Sequence, residues 1–159
     1  MAGTNVQVDF DTTELVAALN HVLATGRNLR PVMMEIAEHL HRSTRDRFDR
    51  EEAPDGTPWA PVTPQTQARK NAGYSAGGGQ KDKLPAPDKI LHGATLLLRD
   101  NMAPLYDEDE AGLAALQAYA ATHQFGAPER NIPARPFLGL SPGDQAEILD
   151  ILAEAILPP

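Results

Sequence analysis

Cysteine is absent from this 159-residue chain. That excludes a disulfide framework and any thiolate-held metal. Aromatic residues are scarce, at 5%, so a core has to be built mainly from Leu, Ile, Val and Ala. Positive charge is in deficit, with a formal net charge of -8. So acidic a chain is a poor wrapper of nucleic acid, where affinity comes from neutralising phosphates. No apolar run approaches the roughly 20 residues that span a bilayer. The start, MAGTNVQVDFD, has no basic stretch followed by an apolar one, so no secretory leader is expected. These absences together predict a soluble protein of a reducing cytoplasm.

What is present fits one domain, residues 1–159, long enough for one hydrophobic core. Fourteen prolines and twelve glycines predict many loops. Val6, Val8 and Phe10 alternate with Gln7 and Asp9, the period of a half-buried strand. Asp11 lies three residues before Glu14, a capping signal. Leu15, Leu19, Val22 and Leu23 then make a helical stripe that Gly26 stops. A second helix is predicted from Pro31 to about Arg50. Its apolar positions are Val32, Ile36, Leu40 and Phe48, with Met33 and Ala37 beside them. Its outer face offers Glu38–Arg42 and Arg45–Asp49 at favourable spacing.

From Glu51 to Lys89 no period holds, and residues from about 65 to 89 read as a flexible basic loop. Ile90 to Met102 fits a short helix or a buried strand. The acidic turn Asp107 to Gly112 favours a hairpin around it, while the alanines of LAALQAYAA favour a helix, and both readings stand. A last helix starts at Ser141, Pro142 and Asp144. Ile148, Leu149, Ile151, Leu152, Ala155 and Ile156 form its apolar stripe. The expected class is α+β: helices on a small antiparallel sheet, with a long irregular loop and a C-terminal helix.

Candidate chemistry is thin. Gly139-Leu140-Ser141-Pro142-Gly143 matches the nucleophile-elbow string, but the elbow needs a backbone N–H after the serine, and Pro142 has none. Ser141 reads instead as a helix cap. His39 and His41 are two apart and face different sides of a helix, which disfavours a shared metal. Asp107 to Glu110 lack the glycine and spacing of a calcium loop. No catalytic, metal or cofactor site is therefore expected. His123 reads as a polar cap on a turn. Trp59, in a Pro-rich stretch, is either a plug at the core edge or an interface anchor. Arg69, Lys70, Lys81, Lys83 and Lys89 leave the basic loop with an excess of three positive charges over Asp82 and Asp88. They are candidate contacts to an acidic partner or to DNA.

The densest information lies in Tyr119 to Leu140, YAATHQFGAPERNIPARPFLGL. It is too rich in Gly and Pro for one helix and too apolar for a slack linker. It therefore reads as a fixed surface that meets another protein. The candidate interface residues are Trp59, Tyr119, His123, Gln124, Phe125, Arg135, Pro136, Phe137 and Leu138. Phe137 is expected to be buried, with Arg135 in a charge-assisted contact beside it.

The strings RDRFDREEAPDGTPWAPVTPQTQARK, KILHGATLLLRDNM and YAATHQFGAPERNIPARPFLGLSPGDQAEI resemble the phage virion morphogenesis family. These are the tail completion proteins of Mu-like and P2-like tailed phages. The resemblance runs from about Ile36 to the C-terminus. It implies a structural virion protein, not an enzyme, with no cofactor. It implies a homo-oligomeric ring, six copies in the family pattern, at the neck between head connector and tail tube. The implied partners are the connector or adaptor, the tail terminator or tail tube, and DNA passing through without sequence-specific binding. The implied location is the virion, reached by assembly in the host cytoplasm. Tail terminator and head-side adaptor are neighbouring roles. A virion-associated hydrolase and a nucleic-acid-binding regulator are the readings from other classes.

Overall fold

The computed structural model describes residues 13–26, 28–72, 74–75, 81–82, 89–92 and 97–156. The expected strand at Val6 to Phe10 and the Asp11 capping signal lie outside the described residues. Helix α1 spans Thr13–Leu23 and buries Val22 completely. Gly26 adopts φ +66°, and its N–H bonds the Leu23 carbonyl, so the predicted stop is where the chain turns.

Helix α2 spans Arg30–Arg50, as its spacing predicts, with Pro31 in the first turn. It ends where Glu51 adopts a left-handed φ of 59°, letting its N–H bond the Arg47 carbonyl at 2.7 Å. The expected pairs Glu38–Arg42 and Arg45–Asp49 do not form among the described residues. Arg45 reaches Asp100 at 3.1 Å and Asp49 is met by Arg99 at 3.1 Å. Those residues belong to the short helix α4, Leu97–Asp100. For Arg45 and Asp49, opposite charge brought across the fold thus replaces the local partner.

Helix α3, Pro64–Ala72, corrects the expectation of a structureless stretch from Glu51 to Lys89. Thr63 caps it: the Thr66 N–H donates to Thr63 Oγ1 at 3.2 Å, and Pro64 follows at the first helical position. The helix carries no apolar stripe, so periodicity gives no sign of it. Two-residue strands β1 (Tyr74–Ser75) and β2 (Lys81–Asp82) pair antiparallel beyond it.

Strands β3 (Met102–Tyr106) and β4 (Ala111–Ala115) settle the open choice in favour of a hairpin, with Leu105 opposite Gly112. Asp107 N–H bonds the Glu110 carbonyl across the acidic turn. The chain then forms α5, Ala120–Phe125, a 3-10 turn at Pro128–Arg130, and α6, Pro142–Ile156. The architecture is α+β. Ser141 caps α6 as predicted: Asp144 N–H donates to Ser141 Oγ at 3.0 Å, and Ser141 N–H returns to Asp144 Oδ2 at 2.8 Å.

Helix α2 serves two cores. Phe48, near its C-terminal end, packs with Trp59, Leu91, Leu98, Met102, Phe137 and Leu138. Met33 and Ile36, in its first half, pack with Val22, Leu29, Ile148, Ile151 and Leu152. The hairpin lies on α2 by one face. Met102, Leu113 and Ala115 join the first core, and Tyr106 and Ala111 the second. Alternation puts Ala103, Leu105, Gly112, Ala114 and Leu116 on the other face. On this face Leu105 and Leu116 are 54% and 58% exposed, while Ala103, Gly112 and Ala114 are half-buried.

Candidate functional site

The block from Tyr119 to Leu140 folds as a clip held by its own polar groups. Gln124, buried at the end of α5, uses both ends of its amide on residues 137 and 138. Its oxygen accepts the N–H groups of Phe137 and Leu138, both at 3.0 Å, and its nitrogen donates to the Leu138 carbonyl at 3.0 Å. Gly126 follows with φ +77°. A Cβ there would lie 2.7 Å from the Ala134 nitrogen, so only glycine lets the two chain segments approach this closely. Ala127 and Ile132 close the intervening loop through mutual backbone hydrogen bonds of 2.8 and 3.1 Å.

The clip is tied to the Pro-rich stretch after α2. Trp59 Nε1 donates to the Pro136 carbonyl at 2.7 Å. In return, Arg135 donates to the carbonyls of Ala60 and Pro61 at 2.7 and 3.0 Å. The rings of Trp59 and Phe137 both stand 5.3 Å from Phe48. Phe137 is fully buried and Arg135 makes charge-assisted contacts, as expected. The Arg135 acceptors are backbone oxygens rather than a carboxylate. Trp59 is thus the plug of the chain's own core.

Of the nine interface candidates, Trp59, Gln124, Arg135, Phe137 and Leu138 are buried within the chain and His123 and Pro136 are half-buried. Tyr119 and Phe125 remain exposed, at 43% and 57%.

Beneath the clip lies a buried charge hub that the sequence does not announce. Arg47, 1% exposed, forms an ion pair with Asp144 and donates to the Phe137 carbonyl at 3.0 Å and to Ser43 Oγ at 3.1 Å. His39 Nε2 stands 2.9 Å from the other Asp144 oxygen. His39, Ser43 and Arg47 are four apart on α2 and so share one face. That spacing was the available signal, but it points at α6 rather than at solvent. Burial on its own pushes the Asp144 carboxyl up. Hydrogen bonds from Ser43 and from Ser141, with the Arg47 charge, outweigh it and hold the group below its ordinary value. A serine, an acid and a histidine meet here without forming a nucleophilic triad. The Ser141 hydroxyl donates to Asp144 at 2.7 Å, whereas activation needs an imidazole on the hydroxyl.

A pocket of about 440 Å³ opens between the clip, α3 and residues 90–92, lined among others by Lys70, His92, Tyr119, His123 and Arg135. The basic candidates part company around it. Lys70 is buried, its ammonium donating to the carbonyls of Lys89 and Ile90. Lys89 donates to the Asp49 carbonyl at 2.6 Å. Arg69 is exposed on α3, Lys81 lies in β2, and Lys83 is outside the described residues. Burial, with Arg99 for His92 and with Arg135 for His123, lowers both imidazole pKa values and favours the neutral rings. Among the described residues no three metal-ligating side chains gather, and no helix is long and apolar enough to cross a membrane.

Fold and site define a small α+β protein whose buried polar groups are spent on bracing one segment of its own surface. The chain belongs to the phage virion morphogenesis family, whose model matches residues 10–156. It is 30% identical over 146 residues to tail completion protein S of Escherichia phage P2, covering 87% of this chain and 89% of that one. It is 28% identical over 148 residues to Mu-like prophage FluMu G protein 1 of Haemophilus influenzae, covering 93% and 92%. FluMu G protein 2 of the same organism is 42% identical over 71 residues, 39% of this chain and 51% of that one. No solved structure matches the chain.

Proposed function

We propose that this protein is a non-enzymatic structural subunit that completes the phage tail and joins it to the filled head. It does so as a homo-oligomeric ring, of six copies, at the neck between connector and tail tube. The observation that carries this reading is the apolar outer face of the β3–β4 hairpin, on which Leu105 and Leu116 are more than half exposed. Tyr119 and Phe125 add to the exposed apolar surface. A lone soluble domain gains nothing from such a surface, whereas a subunit held on several sides buries it against neighbours. Likeness to a tail completion protein over most of both chains supports naming the assembly. The protein would work in the virion after assembly in the host cytoplasm, without cofactor, letting DNA pass without reading its sequence.

The test is deletion of the gene in the producing phage. Full heads and complete-length tails should accumulate separately, with few joined particles. Tails of uncontrolled length would instead assign the neighbouring role of tail terminator. Joined, infectious particles in normal number would sink the structural reading.

A further inference from the structure

We infer that the basic pocket beside the clip receives the acidic β3–β4 turn of a second copy, so that copies join head to tail. This deepens the ring reading above and rests on it. Three observations converge. The first is the charge of the pocket. Its described lining includes two cations, Lys70 and Arg135, beside the neutral rings of His92 and His123, and no acidic residue. Arg135 has only backbone carbonyls as acceptors, and no described carboxylate pairs with it. Buried nitrogens of the His92 and His123 rings also lack hydrogen-bond partners among the described residues. His92 is only 7% exposed, and a buried polar group left without a partner costs free energy.

The second observation is the charge of the turn. Asp107, Glu108, Asp109 and Glu110 are all exposed, and none makes an ion pair among the described residues. Four adjacent carboxylates repel one another, and a basic partner relieves that repulsion.

The third is placement. Met102, at the start of β3, shares a cluster with Leu91 and Leu98, which line the pocket. Tyr106, at the other end, packs in the second cluster, and the turn beyond it borders Leu23, Gly26 and Leu29 of the α1 region. Five residues of strand put about 15 Å between pocket and turn, too far for the turn to fold back into its own pocket. Complementary features at opposite ends of a subunit make a heterologous contact, which closes into a ring when the rotation permits. The contact carries charge across the interface and so fixes direction and register between copies.

The natural absence of cysteine makes a direct test clean. Thr63, exposed at the pocket rim, and Glu108, exposed in the turn, are changed together in the full chain, Thr63→Cys with Glu108→Cys. The concentrated protein is treated with a short bismaleimide. The double variant should give a ladder of dimers, trimers and higher species, while each single variant stops at dimers. Neutralising the other turn acids (Asp107→Asn, Asp109→Asn, Glu110→Gln) in that background should cut the ladder about tenfold, the loss of roughly one charge-assisted contact. High salt should weaken it as well. The docking is overturned if the double variant gives no ladder while cysteines at Leu105 and Leu116 do, which leaves the ring intact. It is also overturned if the neutralised turn cross-links as before. If no cysteine pair gives a ladder at any concentration, the ring reading falls with it.

Discussion

Replacing Arg47 by methionine isolates the contribution of the buried hub. Methionine keeps most of the volume, so the cost is electrostatic rather than that of a cavity. In the folded chain Asp144 is 97% buried by its side chain, and Arg47 is its cationic partner. Removing that partner leaves a carboxylate with hydroxyls, the Ser141 N–H and the His39 ring at 2.9 Å. Breaking one side of a buried pair costs about 3–5 kcal/mol. For a chain of this size that corresponds to a fall in Tm of roughly 6–20 °C. The Phe137 carbonyl also loses its charged donor, so the clip should loosen. Thermal unfolding followed by circular dichroism measures the first effect, and hydrogen exchange at Phe137 and Leu138 the second. Neutralising the acid as well, in Arg47→Met with Asp144→Asn, should recover part of the loss, because no charge then stays buried alone. A single variant within about 2 °C of the parent, or a double variant that is simply additive, would refute the reasoning.

Two further outcomes follow from the same geometry. Gly126→Ala places a Cβ 2.7 Å from the Ala134 nitrogen at φ +77°, and should cost about 1–3 kcal/mol in urea unfolding; an unchanged midpoint would show that the clip is slack. Acid should destabilise the fold in two stages. The folded pKa values of His92 and His123 are depressed, so below about pH 6.5 the unfolded chain takes up protons that the folded chain resists. Stability is therefore lost as pH falls from there through the folded values. Asp144 is also depressed, so its contribution is complete above about pH 4 and drains as pH falls further through its folded value. Urea midpoints measured from pH 7.5 to 3 would show both stages, and a midpoint that stays flat between pH 7.5 and 5 would contradict the first.

Helices α1, α2 and α6 were legible because each carries an apolar stripe beside a start or stop signal: Gly26 ends α1, Pro31 opens α2 and Ser141 caps α6. Helix α3 was not, since only Thr63 and Pro64 mark it and no stripe follows. The hairpin was ambiguous for a physical reason. Alanine prefers helix, and β4 is AGLAA, yet the Asp107–Glu110 turn and the partner MAPLY hold it extended against α2. The block from Tyr119 to Leu140 is stiff and apolar, and both properties suit an inward-facing clip as well as an interface. Sequence cannot separate these uses, because the distinction lies in whether a Phe48 or a Gln124 waits on the inside. The hub was hidden for a related reason: His39, Ser43 and Arg47 read as a polar face until α6 lies over them.

The inward use of the clip bears on how the outward surface can bind. Phe137 and Leu138 are locked by Gln124, Trp59 holds Pro136, and Arg135 holds residues 60 and 61. Phe137, Leu138, Trp59 and Gln124 are thereby turned inward, and of the groups in the clip Arg135 still lines the pocket. What they supply is shape: Tyr119 and Phe125 flank α5, whose C-terminal turn is fixed by Gln124 and by the Arg135 N–H bonding the His123 carbonyl at 2.7 Å. A surface fixed before encounter loses little conformational entropy when a partner arrives. Weak individual contacts, repeated around a closed assembly, can then suffice. On this argument the clip residues should matter for assembly in proportion to how far their loss loosens α5, and the exposed rings in proportion to the contact they lose.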